Sequence, residues 1–178
     1  MNVPNILTIV RVIMIPFFVV YMLCDITQAD KYIALTIFIV ASMTDWLDGY
    51  LARKYKLITN FGKFMDPLAD KLLVSAAMIC LIETGKLASW IVIIIISREF
   101  IISGFRLVAA DSGIVIAASY WGKFKTVTQM LMVIILISDL GGVFITIEQI
   151  FIWASVILTI VSLIDYIVKN RQVLSVKE

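Results

Sequence analysis

The chain has 178 residues, of which 62% are hydrophobic and 16% charged, with a mean hydropathy of +1.04. This lies far above the roughly 45–50% apolar usage of soluble domains, so a membrane protein is expected, with no length left for a separate soluble domain. The net charge is +2, and its basic residues are spread between apolar segments instead of forming one block, which sets nucleic acid aside as a partner.

The first apolar run, residues 6–23, follows only "MNVPN". It has neither a basic leader nor a small-residue cleavage site, and is expected to be a retained span. Asp25 to Asp30 interrupt the pattern before the second run, residues 32–52, and the basic stretch Arg53 to Lys63 separates that run from the third, 66–83. Glu83 to Lys86, Asp111 to Gly113 and Asp139 to Gly142 then punctuate runs at 88–109, 122–138 and 143–168. Each run can supply one membrane helix of about 20 residues. The expected fold is therefore all-α and polytopic, six transmembrane helices in a single domain over residues 1–178.

An even number of spans puts both termini on one side. With that side taken to include the 53–63 and 110–121 loops, it holds every Lys and Arg except Lys31 and Lys86. By the positive-inside rule that face is cytoplasmic, and the protein is expected in the cell membrane. Cys24 and Cys80 show no CxxC spacing and read as small buried hydrophobes.

The unusual stretch is "TDWLDGYLARKYKLITNFGKFMDPLADKL", residues 44–72. Asp45 and Asp48 fall in the last turns of the second run, and Asp66 and Asp70 open the third. Consecutive spans joined by a short loop are antiparallel, so all four acids are expected at one depth near the cytoplasmic face. Their i,i+3 and i,i+4 spacings place each pair on one side of its helix. A carboxylate deep in hydrocarbon costs about 2.5–3.5 kcal/mol on insertion scales, and like charges held close together add repulsion. Any one of these aspartates is equally well a helix cap or a snorkelling charge. Four in this register, in a chain without histidine, suit hard divalent cations such as Mg²⁺ or Mn²⁺. They suffice for two ions about 3.5–4 Å apart, an arrangement that clamps a phosphate during displacement. The residues between them fit a phosphate ligand: Gly49, Gly62 and Ala52 keep the backbone approachable, Arg53 offers a planar fork, and Thr59 and Lys63 add a hydroxyl and a point charge.

Written as a pattern, DxxDGxxARx8GxxxDxxxD at Asp45, Asp48, Gly49, Ala52, Arg53, Gly62, Asp66 and Asp70 resembles the signature of the CDP-alcohol phosphatidyltransferases at every position. Further segments extend the likeness over nearly the whole chain: "PNILTIVRV", "TNFGKFMDPLADKLL", "SREF" with "GFR", and "GKFKTVTQ". They are closest to members whose acceptor is sn-glycerol 3-phosphate. The resemblance implies transfer of a phosphatidyl group from CDP-diacylglycerol to sn-glycerol 3-phosphate with Mg²⁺ or Mn²⁺, giving phosphatidylglycerophosphate and CMP. It implies metal ligation by Asp45, Asp48, Asp66 and Asp70, with Asp70 also the general base. Donor binding would fall to Asn5, Thr8, Gly49, Ala52, Arg53, Thr59 and Gly62, in a homodimer embedded in membrane lipid. The acceptor is a dianion and calls for a second set of cations, for which Lys63, Arg98, Arg106, Lys123 and Lys125 are the candidates; intramembrane arginines are costly without a function, although Arg98 could instead simply pair with Glu99 or another acid, and Glu99 could hold it in position.

Two rivals stand beside this reading. A sister transferase would use another acceptor, such as inositol phosphate, serine or phosphatidylglycerol, because the signature reads the CDP moiety. A cation transporter would carry its acids near the midplane on broken helices, often with a pseudo-symmetric second half, and no second acidic cluster occurs here.

Overall fold

The computed structural model describes residues 3–54, 60–111, 116 and 119–171; for 3–4, 45–53, 60–64, 66–67 and 111 it describes the backbone course alone. Among the described residues the chain is all-helical, with α1 Val3–Leu23, α2 Asp30–Lys54, α3 Asn60–Glu83, α4 Ser89–Asp111, α5 Tyr120–Ser138 and α6 Phe144–Lys169. These coincide with the six apolar runs, one helix to each. The largest difference is at α3, which begins six residues before the apolar run expected at 66. Hydropathy marks where a helix is oily, whereas hydrogen bonding carries the helix on through the more polar Asn60–Met65 turns. Asp66 and Asp70 consequently lie about two and three turns into α3 instead of opening it.

α1 and α6 are long and apolar enough to cross a membrane. The other four carry charges within or beside their apolar runs, among them Asp45 and Asp48 on α2, Asp66 and Asp70 on α3, Arg98 and Glu99 on α4, and Lys123 and Lys125 on α5.

The chain divides into two compact units. The first comprises residues 1–87 with 133–139, in which α1 packs against both α2 and α3, and α2 also meets α3. Every third or fourth residue of α1 is buried: Asn5, Thr8, Arg11, Ile15 and Phe18. That stripe is polar over its first half and apolar over its second, where Phe18 meets Phe38 of α2 with ring centroids 6.0 Å apart. Ala34 and Ala41 on α2 and Ala69 and Ala77 on α3 are buried, and their small side chains let the helices approach closely. Pro16 lies inside α1, where it removes one backbone hydrogen bond.

Local chemistry sets the ends of these helices. Ahead of α2, the Asp30 carboxylate accepts from the backbone N–H of Ile26 and Thr27 at 2.6 and 2.8 Å and from the Thr27 hydroxyl at 2.6 Å. The Thr27 hydroxyl in turn accepts from the N–H of Ala29 at 3.3 Å, which makes a capping box of Thr-x-x-Asp form. α3 stops at Gly85, whose φ of +71° suits a residue without Cβ. There the Lys86 N–H reaches the Leu81 carbonyl and the Gly85 N–H that of Ile82, both at 2.9 Å. Lys86 then pairs with Asp139, beyond the end of α5. Cys80 is buried as expected, whereas Cys24 is exposed because it follows the last turn of α1; both are free thiols.

The second unit comprises residues 88–132 with 140–178, and in it α4 packs against α6. The buried face of α6 runs through Glu148, Ile152, Ser155, Thr159, Ser162 and Tyr166. Trp90 and Trp153 tilt against each other at 6.0 Å near one end, and Phe105 meets Tyr166 edge-on at 5.8 Å toward the other.

Candidate active site

The acids come from the end of α2 and the first three turns of α3. With 3.6 residues per turn, positions 45, 48, 49 and 52 fall within an arc of about 100° on α2, and positions 62, 63, 66 and 70 within a similar arc on α3. The two helices meet directly, joined by residues 55–59. The side chains of Asp45, Asp48, Arg53, Lys63 and Asp66, and the surroundings of Gly49, Ala52 and Gly62, lie outside the described residues, as does Thr59 altogether. Asp70 is half-buried and engaged by a neighbouring group. Among the described residues no three carboxylate, thiol or imidazole groups come together to hold a metal.

Asn5 and Thr8 are both buried on α1, the helix that packs on α2 and α3. Each is engaged with a partner, so neither is a spare polar group left in the core. Arg11, one turn further along, is fully buried on the same stripe, and sequence reasoning counted it only as one more basic residue. Its i,i+3 spacing from Thr8 was the available signal.

In the second unit the cations expected for the acceptor separate into two kinds. Arg98 and Lys125 are buried, 8% and 2% exposed. Both donate to the same oxygen of Glu99, Arg98 Nη1 at 3.0 Å from the neighbouring position on α4 and Lys125 Nζ from α5. Arg98 Nε also donates to the Ser162 hydroxyl of α6 at 3.1 Å. Arg106 and Lys123 are exposed and lie over the rings of Tyr166 and Tyr120, at 5.8 and 5.3 Å from the centroids.

Two buried cations meet at one carboxylate oxygen in the Arg98–Glu99–Lys125 group. Burying charge is costly unless it is paired, and this carboxylate pairs both cations. Ser162 was not anticipated as part of the group: one serine in an apolar helix carries no signal that separates an arginine's partner from ordinary small-residue packing.

The CDP-alcohol phosphatidyltransferase family pattern matches residues 1–161, across both units. The chain belongs to the CDP-alcohol phosphatidyltransferase family. Among the CDP-alcohol phosphatidyltransferases it is similar to the CDP-diacylglycerol–glycerol-3-phosphate 3-phosphatidyltransferase of Bacillus subtilis, with 43% identity covering 97% of each chain. The protein of that name from Haemophilus influenzae is 45% identical over 93% of this chain and 91% of its own. A probable phosphatidylglycerophosphate synthase of Mycobacterium tuberculosis is 35% identical over 94% of this chain and 81% of its own.

Proposed function

We propose that this protein transfers the phosphatidyl group of CDP-diacylglycerol to sn-glycerol 3-phosphate, releasing CMP and forming phosphatidylglycerophosphate. The observation that carries the reading is near-full-length identity of 43–45% to relatives named for that reaction. The buried cations Arg98 and Lys125 support a phosphorylated acceptor.

Asp45, Asp48, Asp66 and Asp70 would hold two divalent cations, Mg²⁺ or Mn²⁺. Their donor set is purely oxygen, in a chain with no histidine, and the register of α2 and α3 supports that fit. When bound, such ions supply positive charge against the donor's pyrophosphate. Asn5, Thr8, Gly49, Ala52, Arg53, Thr59 and Gly62 orient the cytidine and phosphate portion of the donor. Arg98 and Lys125, with Lys63, Arg106 and Lys123, receive the acceptor's phosphate. Asp70 takes the proton from the acceptor's primary hydroxyl. The freed oxygen bonds to the phosphorus that carries diacylglycerol, and the bond from that phosphorus to the CMP oxygen breaks.

The donor's acyl chains stay in the bilayer throughout, which places the reaction at the membrane surface. All six helices cross the cell membrane as one domain, with both termini and the aspartates on the cytoplasmic side, in a homodimer. The basic residues support this orientation, since all but Lys31 and Lys86 fall on that face.

The test is purified protein in detergent with labelled CDP-diacylglycerol, Mn²⁺ and single acceptors. CMP release is expected with sn-glycerol 3-phosphate and not with serine, inositol phosphate or phosphatidylglycerol. Faster release with any of those three overturns the acceptor assignment, and no release with any acceptor overturns the activity.

A further inference from the structure

We infer that Ser162, on α6, is the positioning residue that sets the plane of the Arg98 guanidinium for recognition of the acceptor's phosphate. This rests on the reading above that Arg98 binds that phosphate.

An arginine held by one carboxylate oxygen can still pivot about that contact. Here the contact of Arg98 with Glu99 is through Nη1 to a single oxygen, which also takes Lys125. The Ser162 hydroxyl supplies a second fixed point, accepting from Arg98 Nε at 3.1 Å across 64 residues of sequence. Two anchors at different nitrogens of a rigid planar group determine its orientation.

The hydroxyl itself is not free to turn. Ser162 is fully buried, and its own proton goes to the Thr159 carbonyl at 3.0 Å, which leaves the lone pairs on its oxygen for Arg98. Of the five N–H donors of a guanidinium, Nε and one on Nη1 are committed. Three donors remain, one on Nη1 and two on Nη2, and these are available to phosphate oxygens. Gly122, at the start of α5, stands beside Nη2: a Cβ there would lie 3.4 Å from it, and glycine leaves it uncovered.

The experiment is steady-state kinetics on the full-length enzyme in detergent with Mn²⁺, each substrate varied in turn. Ser162→Ala should raise KM for sn-glycerol 3-phosphate about tenfold, as expected when a buried donor loses its partner, with kcat and KM for CDP-diacylglycerol changed less than about twofold. Ser162→Thr, which keeps the hydroxyl, should restore most of the loss. Arg98→Ala should raise the same KM further, and adding Ser162→Ala to it should change nothing more. An unchanged acceptor KM in Ser162→Ala, when Arg98→Ala does raise it, overturns the positioning role alone. So does an equal rise in both KM values, or additive effects in the double variant. An unchanged acceptor KM in Arg98→Ala overturns the underlying assignment of Arg98.

Discussion

Lys125 on α5 donates to the same Glu99 oxygen that receives Arg98, so one acid on α4 pairs with two buried cations. Replacing Glu99 by Gln removes the only negative charge of the trio and leaves its cations facing each other. Removing one partner of a fully buried pair costs about 3–5 kcal/mol; Glu99 is 22% exposed, so about 2–3 kcal/mol is expected. Thermal unfolding in detergent measures it, and Lys125→Met in the Glu99→Gln background should recover part of the loss. A Glu99→Gln protein as stable as the parent would show that the trio is not electrostatically coupled.

Asp66→Asn should leave the helical fold intact by circular dichroism while lowering CMP release from CDP-diacylglycerol at least about a hundredfold, equivalent to ~2.7 kcal/mol of barrier. The amide keeps the size of the carboxylate and loses its charge, which weakens its hold on a divalent cation. Turnover close to that of the parent protein would count against the aspartate site.

Arg106 is exposed and lies over the Tyr166 ring, a contact worth about 0.5–1 kcal/mol at such sites. Arg106→Ala should therefore unfold at nearly the parent's temperature. Its KM for sn-glycerol 3-phosphate should rise a few-fold more than its KM for CDP-diacylglycerol, and equal changes in both would remove it from the acceptor site.

The hydrogen bond from Lys86, with the charges of Lys86 and Lys31, holds the Asp139 carboxyl below its ordinary range despite some desolvation. A depressed carboxyl stabilises the fold fully above its unfolded pKa of about 3.9, and this contribution fades as pH falls through the lower folded value. Both side chains are partly exposed, so the contribution should be under about 1 kcal/mol. Asp139 has φ +46°, a conformation that Asn tolerates well, so Asp139→Asn isolates the charge. Melting temperatures of parent and variant should differ by a constant amount above about pH 5 and converge below about pH 4. A gap that persists into acid would trace the effect to the turn instead of the ion pair.

The six helices were legible because each contains a predominantly apolar run bounded by polar breakers. The beginning of α3 was not, since Asn60 to Met65 form helical turns without a hydrophobic signature. Arg98 stood out by the expense of charge in an apolar run, and Lys125 only as one of the cations a dianionic acceptor calls for. That they converge on one carboxylate depends on how α4 and α5 pack, which spacing along one helix does not encode. Arg11 illustrates the same limit: a basic residue eleven positions from the N-terminus reads as a membrane-edge charge, yet it is fully buried.

The two-part stripe on α1 also bears on how that helix settles into place. A slip of one turn, about 5.4 Å, would carry Arg11 toward the level of Ile15 and bring a guanidinium into the apolar half of the stripe. A uniformly greasy helix would tolerate several depths; the chemistry of this stripe disfavours such a slip.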